Sequence, residues 1–157
     1  MEIRGGDRQH MICVLDDLLQ DLANDKWAQE LVCVSSYHLN ITICMLGHNI
    51  YEKGTVMRTM SLNIHYFVIF ENRRDPEQLH RFGRQVFPNK GKYFTDSLTK
   101  AMSLARYMIV DLSPKSDKLY SLRTRIFPGE DMIVFRPKNE EQIAGEHQIE
   151  LQIPNDI

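Results

Sequence analysis

The hydrophobic pattern of the chain opens on Met11-Ile-Cys-Val-Leu-Asp-Asp17, an apolar run that stops on two adjacent carboxylates. A continuous run of this length predicts a strand buried on both faces, as in a parallel sheet. Residues 18 to about 34 then predict a helix, with Leu19, Leu22, Ala23, Trp27, Leu31 and Val32 near one face. Asn40-Ile-Thr-Ile-Cys-Met-Leu46 is a second β-rich run, closed by Gly47-His-Asn49, and residues 50–62 read as a loop. Ile64-His-Tyr-Phe-Val-Ile-Phe70 predicts a third strand, rich in β-branched and aromatic residues. Asp75-Pro76 marks a helix start; Leu79, Phe82 and Val86 form its apolar face, and Pro88-Asn-Lys-Gly91 ends it. A further helix is expected at about 94–104, a fourth strand at 107–112 and a short edge strand at 122–127. The polar remainder, 130–157, holds either a short strand at 132–135 with a loose tail or nothing but periphery. Strands alternating with helices define an α/β layered fold.

Composition narrows the function classes. The 157 residues fit one domain, and 43% apolar with 25% charged content is ordinary for a globular chain. A formal charge of −2 gives no global drive toward nucleic acid or anionic membrane, so any DNA contact must come from a local patch. Cys13, Cys33 and Cys44 are odd in number, and two lie in apolar runs, which predicts buried free thiols in a reducing compartment. Without a CxxC spacing or a Cys/His cluster, nothing suggests a zinc site. The sequence has no long apolar span and no signal peptide, so a cytoplasmic or nuclear protein with no membrane partner is expected.

Each of the first three strands ends in polar residues: Asp16-Asp17, then His48-Asn49, then Asn72-Arg-Arg-Asp75. As parallel neighbours they would share the carboxyl edge where open α/β sheets bind ligands. Such an edge suits phosphoryl chemistry: a divalent ion at Asp16, a base or water-positioner at Asp17, a polar sensor from His48 or Asn49, and an arginine for the transferring group. The alternative reading makes Asp16-Asp17 a helix cap, and Arg73-Arg74-Asp75 an exposed turn with its own cap. Lys90 and Lys92 beside Tyr93 and Phe94 are either a solvated turn or a phosphate and base contact. A third possibility is a metal-dependent phosphoesterase using Asp16, Asp17 and His48.

Taken in order, several segments resemble a family. They are Leu15-Asp-Asp-Leu18, Tyr37-His-Leu-Asn-Ile-Thr-Ile43, Gly47-His-Asn-Ile-Tyr-Glu-Lys-Gly54 and Arg58-Thr-Met-Ser-Leu-Asn63. His65-Tyr-Phe-Val-Ile-Phe-Glu-Asn72, Arg74-Asp75, Arg84-Gln-Val-Phe-Pro88 and Arg123-Thr-Arg-Ile-Phe-Pro128 come next. This is similar to the C-terminal half of the DNA-packaging ATPases of Maverick/Polinton virus-like transposable elements, within the FtsK–HerA branch of P-loop NTPases. The resemblance covers 11–128, leaving 1–10 as a flexible lead-in and 129–157 as a peripheral extension. It implies a partial RecA-like core, a mostly parallel three-layer sheet from which the Walker A strand and helix are missing.

The same resemblance implies roles. Asp16 and Asp17 match the Walker B pair, Asp16 holding Mg²⁺ through water and Asp17 standing in the catalytic acid position. Asn49 matches the Asn of a Thr-Gln-Asn sensor, with Gly47 and His48 in place of Thr and Gln. Arg58 is the expected arginine finger and Arg74 its competitor. ATP and Mg²⁺ are the implied cofactors; homo-oligomers or intact ATPase subunits, double-stranded DNA and a capsid component are the implied partners. No segment reads G-x-x-x-x-G-K-[ST], the loop that cradles phosphates. The chain is therefore expected to be a truncated ATPase, inactive alone and prone to associate through an unpaired strand edge; a non-catalytic interaction module derived from such an ATPase is the alternative.

Overall fold

The computed structural model describes residues 10–18, 21, 25–51, 59, 62–72, 74–137 and 150–152. The chain divides into two compact units, Met1–Ile64 and His65–Ile157. In the first, β1 (Met11–Asp16) and β2 (Ile41–Leu46) pair in parallel, with Met11 opposite Ile41 and Asp16 opposite Leu46. The connection is helical: α1 (Lys26–Glu30), a π turn (Leu31–Ser35) and α2 (Ser36–Leu39). Asp25 caps α1, its carboxylate accepting the Trp27 N–H at 2.8 Å. Asn40, with φ at 56°, takes the left-handed conformation that Asn tolerates and turns the chain into β2.

The expectations for this unit are met only in part. Of the helix expected over 18–34, Asp21 and residues 26–35 are helical, Asp25 caps the latter stretch, and Leu19, Leu22 and Ala23 lie outside the described residues. Ala28 is buried, while Trp27, expected on the apolar face, is 65% exposed. The strands are not buried on both faces. Cys13 and Leu15 with Ile41, Ile43 and Met45 are half-buried, whereas Ile12, Val14, Cys44 and Leu46 on the opposite face are exposed. A pair of strands with a layer on one side has no means of covering the other. The thiols obey the same logic: Cys13 and Cys33 are half-buried and Cys44 is exposed, so none is the buried thiol expected.

The second unit is a five-stranded sheet, ordered β3 (Tyr66–Phe70), β4 (Tyr107–Asp111), β5 (Leu122–Thr124), β6 (Ile133–Arg136) and β7 (Glu150–Gln152). Every neighbouring pair is antiparallel. This corrects the expectation of one mostly parallel sheet with the third strand beside the second: β3 pairs with β4 and lies in the other sheet. The physical reason is in the connections. Two helices in succession carry the chain from β3 to β4, and only short links separate β4 from β5 and β5 from β6, which favours a meander. Nor is β5 an edge, since it lies between β4 and β6. Of the two readings of the 130–157 stretch, β6 bears out the short strand at 132–135, and that strand is core rather than periphery, with Val134 and Phe135 buried to 1% and 0% exposure.

α3 (Pro76–Val86) and α4 (Gly91–Leu104) cover one face of this sheet. Asp75 caps α3 through the Gln78 N–H at 3.2 Å, with Pro76 in the first turn, as the sequence predicts. The core is aromatic: Phe67 packs on Phe82 at 4.7 Å between ring centroids, and Phe82 on Phe94 at 6.0 Å. Phe94 is fully buried, and Tyr93 donates its hydroxyl to the Phe135 carbonyl at 2.8 Å, while burial pushes its phenol pKa up. The Phe94 ring is therefore committed to packing and is not available to stack a base, while Tyr93 is half-buried. Gly83 lets the helices close together, because a Cβ there would overlap the Phe94 ring. We predict that Gly83→Ala lowers unfolding free energy by about 1–3 kcal/mol, despite alanine's helix advantage, measurable as a reduced urea midpoint.

Candidate functional site

The parallel ladder brings the first two polar strand ends together. Asp16 lies opposite Leu46, and the Asp17 N–H donates to the Leu46 carbonyl at 3.2 Å, so Asp16-Asp17 and Gly47-His48-Asn49 form one edge. Asp17 sits at φ 52°, a left-handed conformation that Asp adopts more readily than most residues, and this turns the chain sharply off the strand. Asp16, Asp17, His48 and Asn49 are all exposed. Asn49 accepts the Tyr51 N–H on its side-chain oxygen at 2.9 Å, a local turn that holds the side chain in place.

The third polar end follows a strand of the other sheet. Asn72 to Asp75 belong to the second unit, where the Asn72 side chain accepts the N–H groups of Arg74 and Asp75 at 3.0 and 3.2 Å. This turn and the Asp75 cap account for the cluster as the start of α3. Arg74 is thus exposed on a capping turn, and Arg58 and Arg73 lie outside the described residues.

Among the described residues, no three His, Cys, Asp or Glu side chains gather around a common point. The two carboxylates suit a hydrated Mg²⁺ in kind, since that ion takes hard oxygen donors and keeps several waters. They do not suit a triphosphate, which needs a glycine-rich amide cradle and a lysine that the sequence lacks. Comparison with protein-family models, with curated proteins and with solved structures gives no match.

A different aspartate is the electrostatic centre of the second unit. Asp111 ends the buried strand β4 and binds Arg123 of β5, Nη2 to Oδ2, at 2.8 Å; the two side chains are 2% and 20% exposed. The Ser113 N–H and the Ser116 hydroxyl donate to the same carboxylate at 3.0 and 2.9 Å. Burial alone would raise the Asp111 pKa, but these donors and Arg123 outweigh it and hold the carboxyl below its ordinary value. Sequence reasoning passed over this pair, although Tyr107-Met-Ile-Val-Asp111 repeats the pattern of apolar residues ending on an acid seen at Met11–Asp16. Beside it lies an open groove of about 510 Å³, lined by Tyr66, Val68, Tyr120, Arg123 and Ile126.

Because the folded pKa is depressed, the stability from Asp111 is present above the unfolded carboxylate value, about 3.9. It is lost as pH falls through the folded value. Thermal melts of the wild type should therefore lose stability on acidification below about pH 4. Asp111→Asn should be markedly less stable at neutral pH and show a shallower acid slope; an unchanged slope would refute the assignment.

Proposed function

We propose that this chain carries the acid-pair and sensor portion of a packaging-type P-loop ATPase, and that alone it holds a divalent cation without hydrolysing ATP. One observation carries the reading: the in-register parallel pairing of β1 and β2, which sets Asp16-Asp17 beside His48-Asn49 at one sheet edge. That is the edge at which open α/β sheets bind ligands, and its order of motifs is the one the family resemblance rests on. Asp16 is the cation ligand, through water, and Asp17 the acid that would orient an attacking water. Asn49, pinned by its local turn, is the sensor. When bound, Mg²⁺ would screen phosphate charge, and intact ATPase subunits would supply the phosphate loop. Double-stranded DNA and capsid components belong to the intact assembly.

The RecA-like reading draws its support from the first unit only. The antiparallel sheet of the second unit does not fit such a core. A second reading, a non-catalytic interaction module derived from the ATPase, is favoured by the exposed face of Ile12, Val14 and Leu46, 66%, 56% and 45% accessible.

Substoichiometric Mn²⁺, added as a paramagnetic probe, should broaden the backbone amides of Asp16, Asp17, His48 and Asn49 first. Asp16→Ala should abolish that selectivity; broadening spread evenly over surface carboxylates would sink the cation site. In parallel, ATP turnover with Mg²⁺ should stay at background, and turnover that Asp17→Ala removes would show that another segment replaces the phosphate loop.

A further inference from the structure

β3 presents an open hydrogen-bonding edge whose phase is fixed by its neighbour. The Leu112 N–H donates to the His65 carbonyl at 2.7 Å, and Tyr66 lies opposite Asp111. In an antiparallel ladder these facts direct the backbone groups of Phe67 and Ile69 toward β4 and those of Tyr66, Val68 and Phe70 outward. The Asp111 N–H donating away from β3, to the Ser121 carbonyl at 2.8 Å, fits the same phase. Among the described residues no strand pairs with the outer edge of β3. The side chains of Tyr66, Val68 and Phe70 are 54%, 52% and 65% exposed, on the face opposite the helices.

Native edges are usually protected by charge, proline or a bulge. Tyr66-Phe-Val-Ile-Phe70 has no charged residue and no proline, and its ladder with β4 runs without interruption. The segment is also complementary to itself. Set antiparallel against a second copy with Val68 opposite Val68, it places Tyr66 opposite Phe70, an aromatic cross-strand pair on either side of the centre. The outward N–H and C=O groups of Tyr66, Val68 and Phe70 meet their equivalents, so each is bonded. One residue beyond, His65 falls opposite Glu71, an imidazole facing a carboxylate rather than a like charge. A peptide of unrelated sequence would satisfy the backbone but has no reason to match these side chains.

We propose that this edge is an interface for a second copy of the chain: two β3 strands pair antiparallel about a two-fold axis at Val68, joining two five-stranded sheets into one. The contact is isologous, so it closes on a dimer and does not propagate. It stands whether or not the acid pair binds a cation.

Sedimentation equilibrium on the full chain should show a reversible monomer–dimer equilibrium. Val68→Lys and Val68→Asp, each placing like charges face to face at the axis, should each weaken the dimer by about tenfold or more. Mixing the two variants should restore a heterodimer, because Lys then faces Asp. A strictly monomeric wild type, dimers that neither variant weakens, or variants that do not recover on mixing would each overturn the proposal. Should either variant fail to fold, hydrogen exchange on the wild type decides. The amides of Tyr66, Val68 and Phe70 should gain protection as protein concentration rises, while those of Phe67 and Ile69 are protected throughout; concentration-independent exchange at all five would refute the pairing.

Discussion

The second unit depends on one close approach, the Phe94 ring lying on the bare backbone of Gly83. It sets the separation of α3 and α4, and through that separation the aromatic chain from Phe67 to Phe82 to Phe94 can form. Phe87 extends the chain by stacking on Phe94, and Tyr93 ties α4 to β6 by its bond to the Phe135 carbonyl. A helix layer anchored at both β3 and β6 covers one sheet face, and on the other face Tyr66, Val68 and Phe70 are exposed. The open groove and the exposed row on β3 are therefore set by where the aromatic core sits.

The two units show how one local pattern reaches opposite ends. β1 and β4 are both short apolar strands that finish on aspartate. Asp111 is buried, and its charge is met by Arg123 and by hydrogen-bond donors; Asp16 is exposed at a sheet edge. A buried carboxylate without those partners would cost several kcal/mol, so Asp111 is bound to a structural role. Asp16 is under no such demand, which leaves its oxygens available to a cation.

Much of the secondary structure was legible because it is locally encoded. The strands come from β-branched runs, α3 from the Asp75-Pro76 start, and the Asp16–His48 neighbourhood from two apolar runs that each end in polar residues. The features that escaped were non-local. Nothing in residues 64–70 states whether the strand pairs in parallel or antiparallel, or with which partner, because that is decided by connection lengths and by the helix layer. The burial of β6 was hidden for the same reason: Phe135 in a polar stretch becomes core only once Leu122 lies opposite it. Asp111 and Arg123 are separated by a loop and a short 3₁₀ turn, so their pairing has no signature in spacing.

The π turn at Leu31–Ser35 gives the first unit an unusual sensitivity to chain length. Such a turn holds one more residue than an α-helical turn needs. Removing that residue would let the helix heal, but each residue rotates the downstream chain by about 100°. Ser36–Leu39 and the Asn40 bend would be carried round with it. If β2 then met β1 one position out of step, Thr42 and Cys44 would exchange places with Ile41, Ile43 and Met45 across the sheet. The crossover thus works as a gauge of parity: indels within it act on which side of the strand faces the helix before they act on whether the helix forms.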